Sequence, residues 1–359
     1  MTLFKRTPLC FELVASNRFK DDRLRDLMVF MRKPSSTVPK KIKDSWNHIL
    51  LKDGDKRLKE ERFQNGHVLG IYWDTVARCM MMRAMRDAKA AQEVLYLIQA
   101  ADASKPSPMR QDLAVKLANK VNPGDTGNMH GILPVHVGMR VRLLDHIDLE
   151  KGLVKDAEGV VVRVEINPAD AEEVDCARHE GRPAYLRFLP SGIWVSMCKY
   201  KGAAFVDRLR SARCITEDDA ASLVFVEPRT ADPFDFRGHS VVRTGFPLSH
   251  GCVVTSTACQ GRTMRRGVII DAGKREGGQN PTRDDDYWLH MYVMLSRATR
   301  LDDILLARAP DLDFLRQGPP ESLARALAMF AKRTDGCRRK AEKLAAELVL
   351  GHLLRDEPA

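Results

Sequence analysis

The spacing of apolar positions changes character along the chain. Leu24, Leu27, Met28 and Met31 recur at helical spacing, and the first hundred residues read as mainly helical. Phe11 to Val14 is a short apolar run, Ser35 to Lys41 a Ser/Pro/Lys loop, Asp44 to Leu51 a short helix, and Leu58 to Phe63 polar and basic. His67 to Tyr72 predicts a buried strand. Asp74 is then placed to cap a helix reaching about Lys89. Met80, Met81, Met82 and Met85 lie on that helix and read as a core stripe. Ala101 to Asn128 is rich in Pro, Gly, Ser and Lys and predicts a connecting segment.

From Leu133 the period shortens to that of strands. Pro134 to Leu144 alternates with a break at Gly138, followed by Gly152 to Val154, Gly159 to Val164, Ala184 to Phe188 and Gly192 to Met197. Short strands separated by turns predict a small barrel, with Asp170 to Arg182 and Lys199 to Asp218 as loops in or beside it. Leu223 to Val226 and Val241 to Leu248 continue the strands. Val253 to Thr263 then runs from an apolar strand into a hydroxyl cluster and a Gln-Gly turn. Val268 to Asp271 is a second apolar run, an amphipathic stretch ends in Leu295 to Thr299, and Ile304 to Ala307 is the final strand. Glu321 to Lys332 and Cys337 to Leu354 predict two amphipathic helices broken near Gly336, which read as a solvated cap.

At 359 residues the chain is long enough for two or three domains. With 44% hydrophobic and 30% charged residues it reads as soluble and globular. No apolar run approaches the ~20 residues that span a bilayer, so no membrane partner is expected. Eight scattered Cys show no metal-finger spacing, which predicts reduced thiols and no metal site. Lys plus Arg exceed Asp plus Glu by 58 to 48, giving a net charge of +10. That balance is compatible with a polyanionic partner and equally with solubility alone.

The candidate chemistry lies between Val253 and Thr263. Hydroxyls, Gln and Gly at a strand-to-helix corner suit phosphate contacts when backbone N–H groups point outward. An Arg closing a packed helix, as Arg297 does, can reach a phosphate. Thr255, Gln260, Gly261 and Thr263, with Tyr292, Val293, Leu295, Ser296 and Arg297, resemble the fifth and sixth motifs of superfamily 1B DNA helicases of the RecD and petite-integration-frequency (PIF) type. The run from Arg243 to Leu248 that feeds the fifth motif is similar as well, as is the Gly138 to Val164 region. Two departures stand out. Thr257-Ala258-Cys259 replaces the family's His-Lys-Ser, and Lys155-Asp156 replaces an Asn-Gly turn.

The resemblance implies an α/β fold: a RecA-like second helicase lobe, an inserted small β-barrel resembling Src-homology-3 domains, and a C-terminal helical tail. Its implied divisions are 1–130 and 241–315 for the lobe, 131–240 for the barrel and 316–359 for the tail. It implies that Arg297 acts as an arginine finger and that Gln260 senses the γ-phosphate, with Gly261 and Arg18 also at the nucleotide. The bottom-up reading of Arg18 is an exposed basic residue before a helix, and both readings stand. Arg32 falls at a further family position. Thr255, Ser256, Thr257 and Thr263 would offer hydroxyls to DNA. Arg262, with Arg265 and Arg266, is a candidate to replace the lost motif Lys, the alternative being a degenerate relative. Trp194, Tyr185 and Phe188 are candidates for stacking on bases, core packing being the alternative.

The cofactors of a complete motor of this type are ATP and Mg²⁺, and its partner is single-stranded DNA. No Gly-x-x-x-x-Gly-Lys-Ser/Thr phosphate loop occurs in the 359 residues, and no convincing strand ends in Asp-Glu. The expectation is therefore a second lobe that relies on an upstream RecA-like lobe, binds no cofactor tightly and does not hydrolyse ATP alone. Nuclear localisation (mitochondrial in some relatives), 5′-to-3′ polarity and roles in repair, recombination and telomere maintenance are inherited expectations of the same resemblance. The alternative is a non-catalytic nucleic-acid-binding module or degenerate remnant. An unrelated α/β enzyme is disfavoured by the order of the matches.

Overall fold

In the computed structural model, residues 19–105, 108–198, 200, 222–273 and 284–347 are described. They fall into two compact units, one formed by residues up to Gln64 and from Gly261 onward, the other by Asn65–Gln260.

The first unit contains the parallel strand pair Val268–Asp271 and Ile304–Leu306. Leu51 N donates to the Leu306 carbonyl at 2.9 Å, extending that edge by one bridge. The Asp22–Arg32 helix forms because Asp21, in extended conformation, accepts from Arg23 N, while Leu24, Leu27, Met28 and Met31 are buried together. The Asp21 carboxylate also accepts from Leu301 N at 3.0 Å, which anchors the helix start. The Lys40–Ile49 helix buries Ile42, Trp46 and Ile49. The Asp284–Leu295 helix packs through Trp288, whose indole donates to the Met31 carbonyl.

The second unit holds the parallel pair His67–Gly70 and Val253–Thr255, in register Val68 to Val253 through Gly70 to Thr255. Both strands pack against the Trp73–Ala91 helix through Val76 and Met80. Tyr72 is the residue before this helix and Asp74 lies inside its first turn, so the boundary is two residues earlier than the Asp74 cap predicted. The methionine stripe divides: Met80 is 3% exposed and Met82 70%. Three consecutive helical positions, Met80 to Met82, cannot all face one side.

An antiparallel five-stranded sheet runs in the order Leu248–His250, Arg140–Leu143, Glu158–Glu165, Gly192–Met197, Leu223–Val226. A register shift between Val161 and Arg163 bulges its longest strand. Beside it, Tyr96–Gln99 pairs antiparallel with Ile132–Val135 and parallel with Ala184–Leu186. One hydrophobic core, including Val141, Val161, Val195 and Phe246, serves both sheets.

Three segments differ from their sequence reading. The segment expected to connect, Ala101 to Asn128, contains the strand Ala101–Lys105 and the helix Gln111–Ala118. That strand shows no buried residue, and its register with Ser240–Thr244, not its own hydrophobicity, defines it. The expected loop Asp170 to Arg182 is the helix Ala171–Glu180, which buries only Val174 and Ala177 and ends on Gly181 at φ +66°. Two buried positions give too weak a period to read. The helix expected to break at Gly336 runs unbroken from Glu321 to Glu347. A lone glycine costs a helix only about 1 kcal/mol. Phe11 to Val14 and nearly all of Lys199 to Asp218 lie outside the described residues. No helix among the described residues is long and apolar enough to cross a membrane.

Arg243 locks the second unit. It is fully buried and makes a two-pronged ion pair with Asp102, both bonds 2.7 Å, and it also donates to the carbonyls of Met129 and Leu117. Removing the carboxylate would strand a buried charge, so Asp102→Ala should destabilise the fold by about 3 kcal/mol. Urea denaturation of the two proteins checks this.

His130 and His250 are also buried. Burial, reinforced by Arg142 and Arg243, pushes His130 down to about 3, and burial with Arg83 does the same for His250. Both rings stay neutral in the fold but protonate near their ordinary 6.5 when unfolded. The unfolded chain then binds more protons below that value, so their contribution is present above about 6.5 and is lost as pH falls toward 3. Each ring alone should cost roughly 1.4 kcal/mol per pH unit in that window. The urea midpoint should drop between pH 7 and pH 5. That is above the range where the lowered carboxylates of Asp21, Asp87 and Glu173 begin to protonate.

Candidate nucleic-acid cleft and motif arginine

The Val253–Thr255 strand is followed by a run of tight turns through Gly261, not by the expected helix. Its amide groups are consumed locally. Ser256 N donates to the Gly70 carbonyl, Ala258 N to Thr255 Oγ1, Cys259 N to the Thr255 carbonyl and Gln260 N to the Thr257 carbonyl. These four N–H groups therefore do not point outward as a phosphate nest. Gly261 sits at φ +80° with open space around its α-carbon, the left-handed geometry that the Gln-Gly turn requires.

The hydroxyls differ in access. Ser256 is 1% exposed and Thr255 is buried, its Oγ1 3.0 Å from that of Thr257. Thr257, Gln260, Gly261 and Thr263 are exposed, and Arg262 is half-buried. Thr255, Thr257 and Ala258 line a cleft of about 340 Å³ within the second unit. Arg142, Leu144, Lys155 and Asp156 from the five-stranded-sheet region line it too. Asn122, Gly124 and Asn128 contribute from the turn after the Gln111–Ala118 helix, and Trp73 from the start of the Trp73–Ala91 helix.

The cleft is braced from behind. Trp73 meets His130 edge-on at 6.2 Å, and the His130 ring is 3.1 Å from Ser249 Oγ. Arg142, whose side chain is 2% exposed, donates to the Asp156 carboxylate at 2.7 Å. Asp156 has φ +65°, a conformation Asp tolerates better than most residues. Its amide bonds the Leu143 carbonyl, closing the turn that the family motif builds with Asn-Gly.

Arg297 lies just beyond the Asp284–Leu295 helix in the first unit and is 7% exposed. Its guanidinium donates to the carbonyls of Val293 and Arg262 and to Ser296 Oγ, at 2.8, 3.1 and 2.7 Å. Met264 N returns a bond to the Arg297 carbonyl. The sixth-motif arginine is thus tied to the segment that follows Gly261. Tyr292 stacks on Trp288 and accepts from Arg32 Nε at 2.6 Å, so Arg32 is engaged inside this unit. Arg18 lies outside the described residues.

Of the candidate stacking aromatics, Trp194 is buried against Phe225, and its indole donates to Glu165. Tyr185 and Phe188 are exposed, at 62% and 49%. Trp73, Arg142 and Lys155 were not singled out from the sequence as binding residues. They are distant along the chain, and only the departure of Lys155-Asp156 from Asn-Gly marked that turn. Among the described residues, no group of three or more His, Cys, Asp or Glu side chains is arranged to hold a metal ion.

No family model matches the sequence, and no curated protein does. Solved structures do match. The chain is similar to the Bacteroides Pif1 helicase bound to single-stranded DNA, at 14% identity and a TM-score of 0.54, covering 93% of this chain and 59% of that one. It is similar to the same helicase with ADP-AlF3 and single-stranded DNA, at 16% identity and a TM-score of 0.53, again covering 93% and 59%. A third structure, of two coordinating Pif1 helicases that unwind forked double-stranded DNA, matches at 15% identity and a TM-score of 0.51, over 89% of this chain and 54% of that one. The chain spans less than three fifths of the length of these helicases. Over most of its length it has the mixed α/β fold of the Pif1 helicases, parallel strand pairs and flanking helices included.

Proposed function

We propose that this chain is the second-lobe portion of an ATP-driven DNA motor of the Pif1 type and that it grips single-stranded DNA. The observation that carries this reading is the cleft in which Thr255 and Thr257 meet Lys155, Arg142 and Trp73 in one unit. Hydroxyl donors, cationic side chains and an indole are the groups that hold a single-stranded backbone and its bases. The Pif1 likeness supports it at the level of fold, and the relatives' printed ligands, single-stranded DNA and ADP-AlF3, supply the substrate classes.

In this reading Arg297 is the arginine finger, and Gln260 with Gly261 couples the nucleotide to the DNA grip. ATP and Mg²⁺ would be held by an upstream RecA-like lobe, since no phosphate-loop motif occurs in these residues. The lobe-and-barrel division of the chain belongs to the same proposal. The altered fifth motif, with Ala258 where the resembled family has Lys, favours one second reading: a DNA-binding module without motor activity.

Fluorescence anisotropy with a labelled oligothymidylate, at two salt concentrations and with or without ATP, tests the grip. Binding should weaken as salt rises and be indifferent to ATP. No binding at low salt would remove this function. Combined with a lobe that carries a phosphate loop, the wild-type chain should support ATP hydrolysis. Arg297→Ala should then lower turnover by ~10³-fold. Unchanged turnover would end the finger assignment, and no ATP-stimulated activity in any combination would favour the binding module.

A further inference from the structure

A phosphate held in the cleft needs a positive charge that is not already spent. Two cationic side chains line the cleft, Arg142 and Lys155. Arg142 is buried and charge-paired with Asp156 at 2.7 Å. Lys155 is exposed, and its described bond is a backbone one, its amide 3.3 Å from His146 Nδ1. No carboxylate among the described residues is within ion-pair distance of its ammonium. The two cations and one carboxylate leave a single net positive charge in the cleft, and it resides on Lys155.

The other donors leave room for such a role. Thr257 is exposed and lines the same cleft. Ala258, Cys259 and Gln260 have spent their amides on their own turn and Ser256 its amide on the Gly70 carbonyl, so the backbone there supplies little positive potential. Ala258, where the resembled motif has its lysine, lines this same cleft and brings no charge. On the sheet side of the cleft, Lys155 is a lysine where the resembled turn has asparagine. The turn that presents it is fixed by Asp156, whose left-handed backbone and bond to Arg142 set its direction.

Resting on the single-strand-binding function above, we propose that Lys155 holds a backbone phosphate of the bound strand, taking over from the sheet-side turn the charge that the Thr255–Gln260 turn lacks. Arg142 and Asp156 are positioning residues for it. A phosphate contact of this kind is blind to base sequence and is read through salt dependence.

The test uses the full chain, a labelled oligothymidylate and a salt series, on wild type, Lys155→Ala and Lys155→Arg. Lys155 is exposed, so neither change threatens folding. Lys155→Ala should weaken binding roughly fivefold or more at low salt and make the slope of log affinity against log salt shallower by ~0.7, the loss of one phosphate contact. Lys155→Arg should keep both affinity and slope. Wild-type binding with an unchanged Lys155→Ala would overturn the inference and leave the DNA-binding function standing. A loss of affinity at unchanged slope would also overturn it, because a merely structural role changes affinity without releasing fewer counterions. Absence of wild-type binding would instead remove the function on which it rests, and the inference with it.

Discussion

A guanidinium taken out of water must find acceptors for its protons, and that requirement organises the larger unit. Arg243 is fully buried, and the groups that satisfy it come from three places: Asp102 on an edge strand, Leu117 at a helix end and Met129 just after a turn. None of these segments has a strong apolar face. The Ala101–Lys105 strand has no buried residue, and the Gln111–Ala118 helix buries only Leu117. Their position is set by polar satisfaction more than by hydrophobic area, because an unpaired buried charge costs several kcal/mol. The turn that follows them, Asn122 to Asn128, is the wall of the cleft. One ion pair therefore shapes a surface it does not touch.

Arg142 repeats the arrangement on a smaller scale. It is nearly as buried, and its partner Asp156 sits on a turn in left-handed geometry. The positive charges of Arg142 and Arg243 also act on His130, which burial already holds neutral. A neutral imidazole can stand edge-on to Trp73 and meet Ser249 without adding repulsion between the two guanidinium groups. The ring behind the cleft is thus neutral because it is buried, and the guanidinium groups around it reinforce that state.

The parts of this fold legible in the sequence are those whose residues carry their own period. The strands Val253–Thr255 and Val268–Asp271 are β-branched runs, and the Asp22–Arg32 helix has four apolar positions on one side. The parts that were not legible take their structure from partners. The Ala101–Lys105 strand exists through its register with Ser240–Thr244, and the Ala171–Glu180 helix has two buried residues and a buried Asp170 at its start. Asp170 is placed by long-range bonds from the amides of Arg187 and Phe188, which no local pattern announces. The site divides in the same way. The turn Thr255–Gln260 was visible as a motif, whereas Trp73, Arg142 and Lys155 meet it only through pairing of strands far apart in sequence. A sequence pattern also could not show that the amides of the turn are taken by Gly70 and by the turn itself, since that depends on its tight, non-helical course.

For the proposed nucleotide role, the surroundings of Arg297 set a condition. Its guanidinium already has two carbonyls and a hydroxyl as acceptors in its own unit. Neutral hydrogen bonds of this sort contribute about 1 kcal/mol each, while a bond to a charged phosphate is roughly twice as strong. Exchanging all three is therefore favourable only where a phosphoryl group accepts at least two bonds in return. The bonds that hold Arg297 also tie it to the Arg262 carbonyl, next to Gly261 with its permissive backbone. The Met264 amide, bonded to the Arg297 carbonyl, holds the same segment independently of the guanidinium. The local chemistry thus ties the arginine to the Arg262–Met264 segment of its own unit through the guanidinium on one side and the backbone carbonyl on the other.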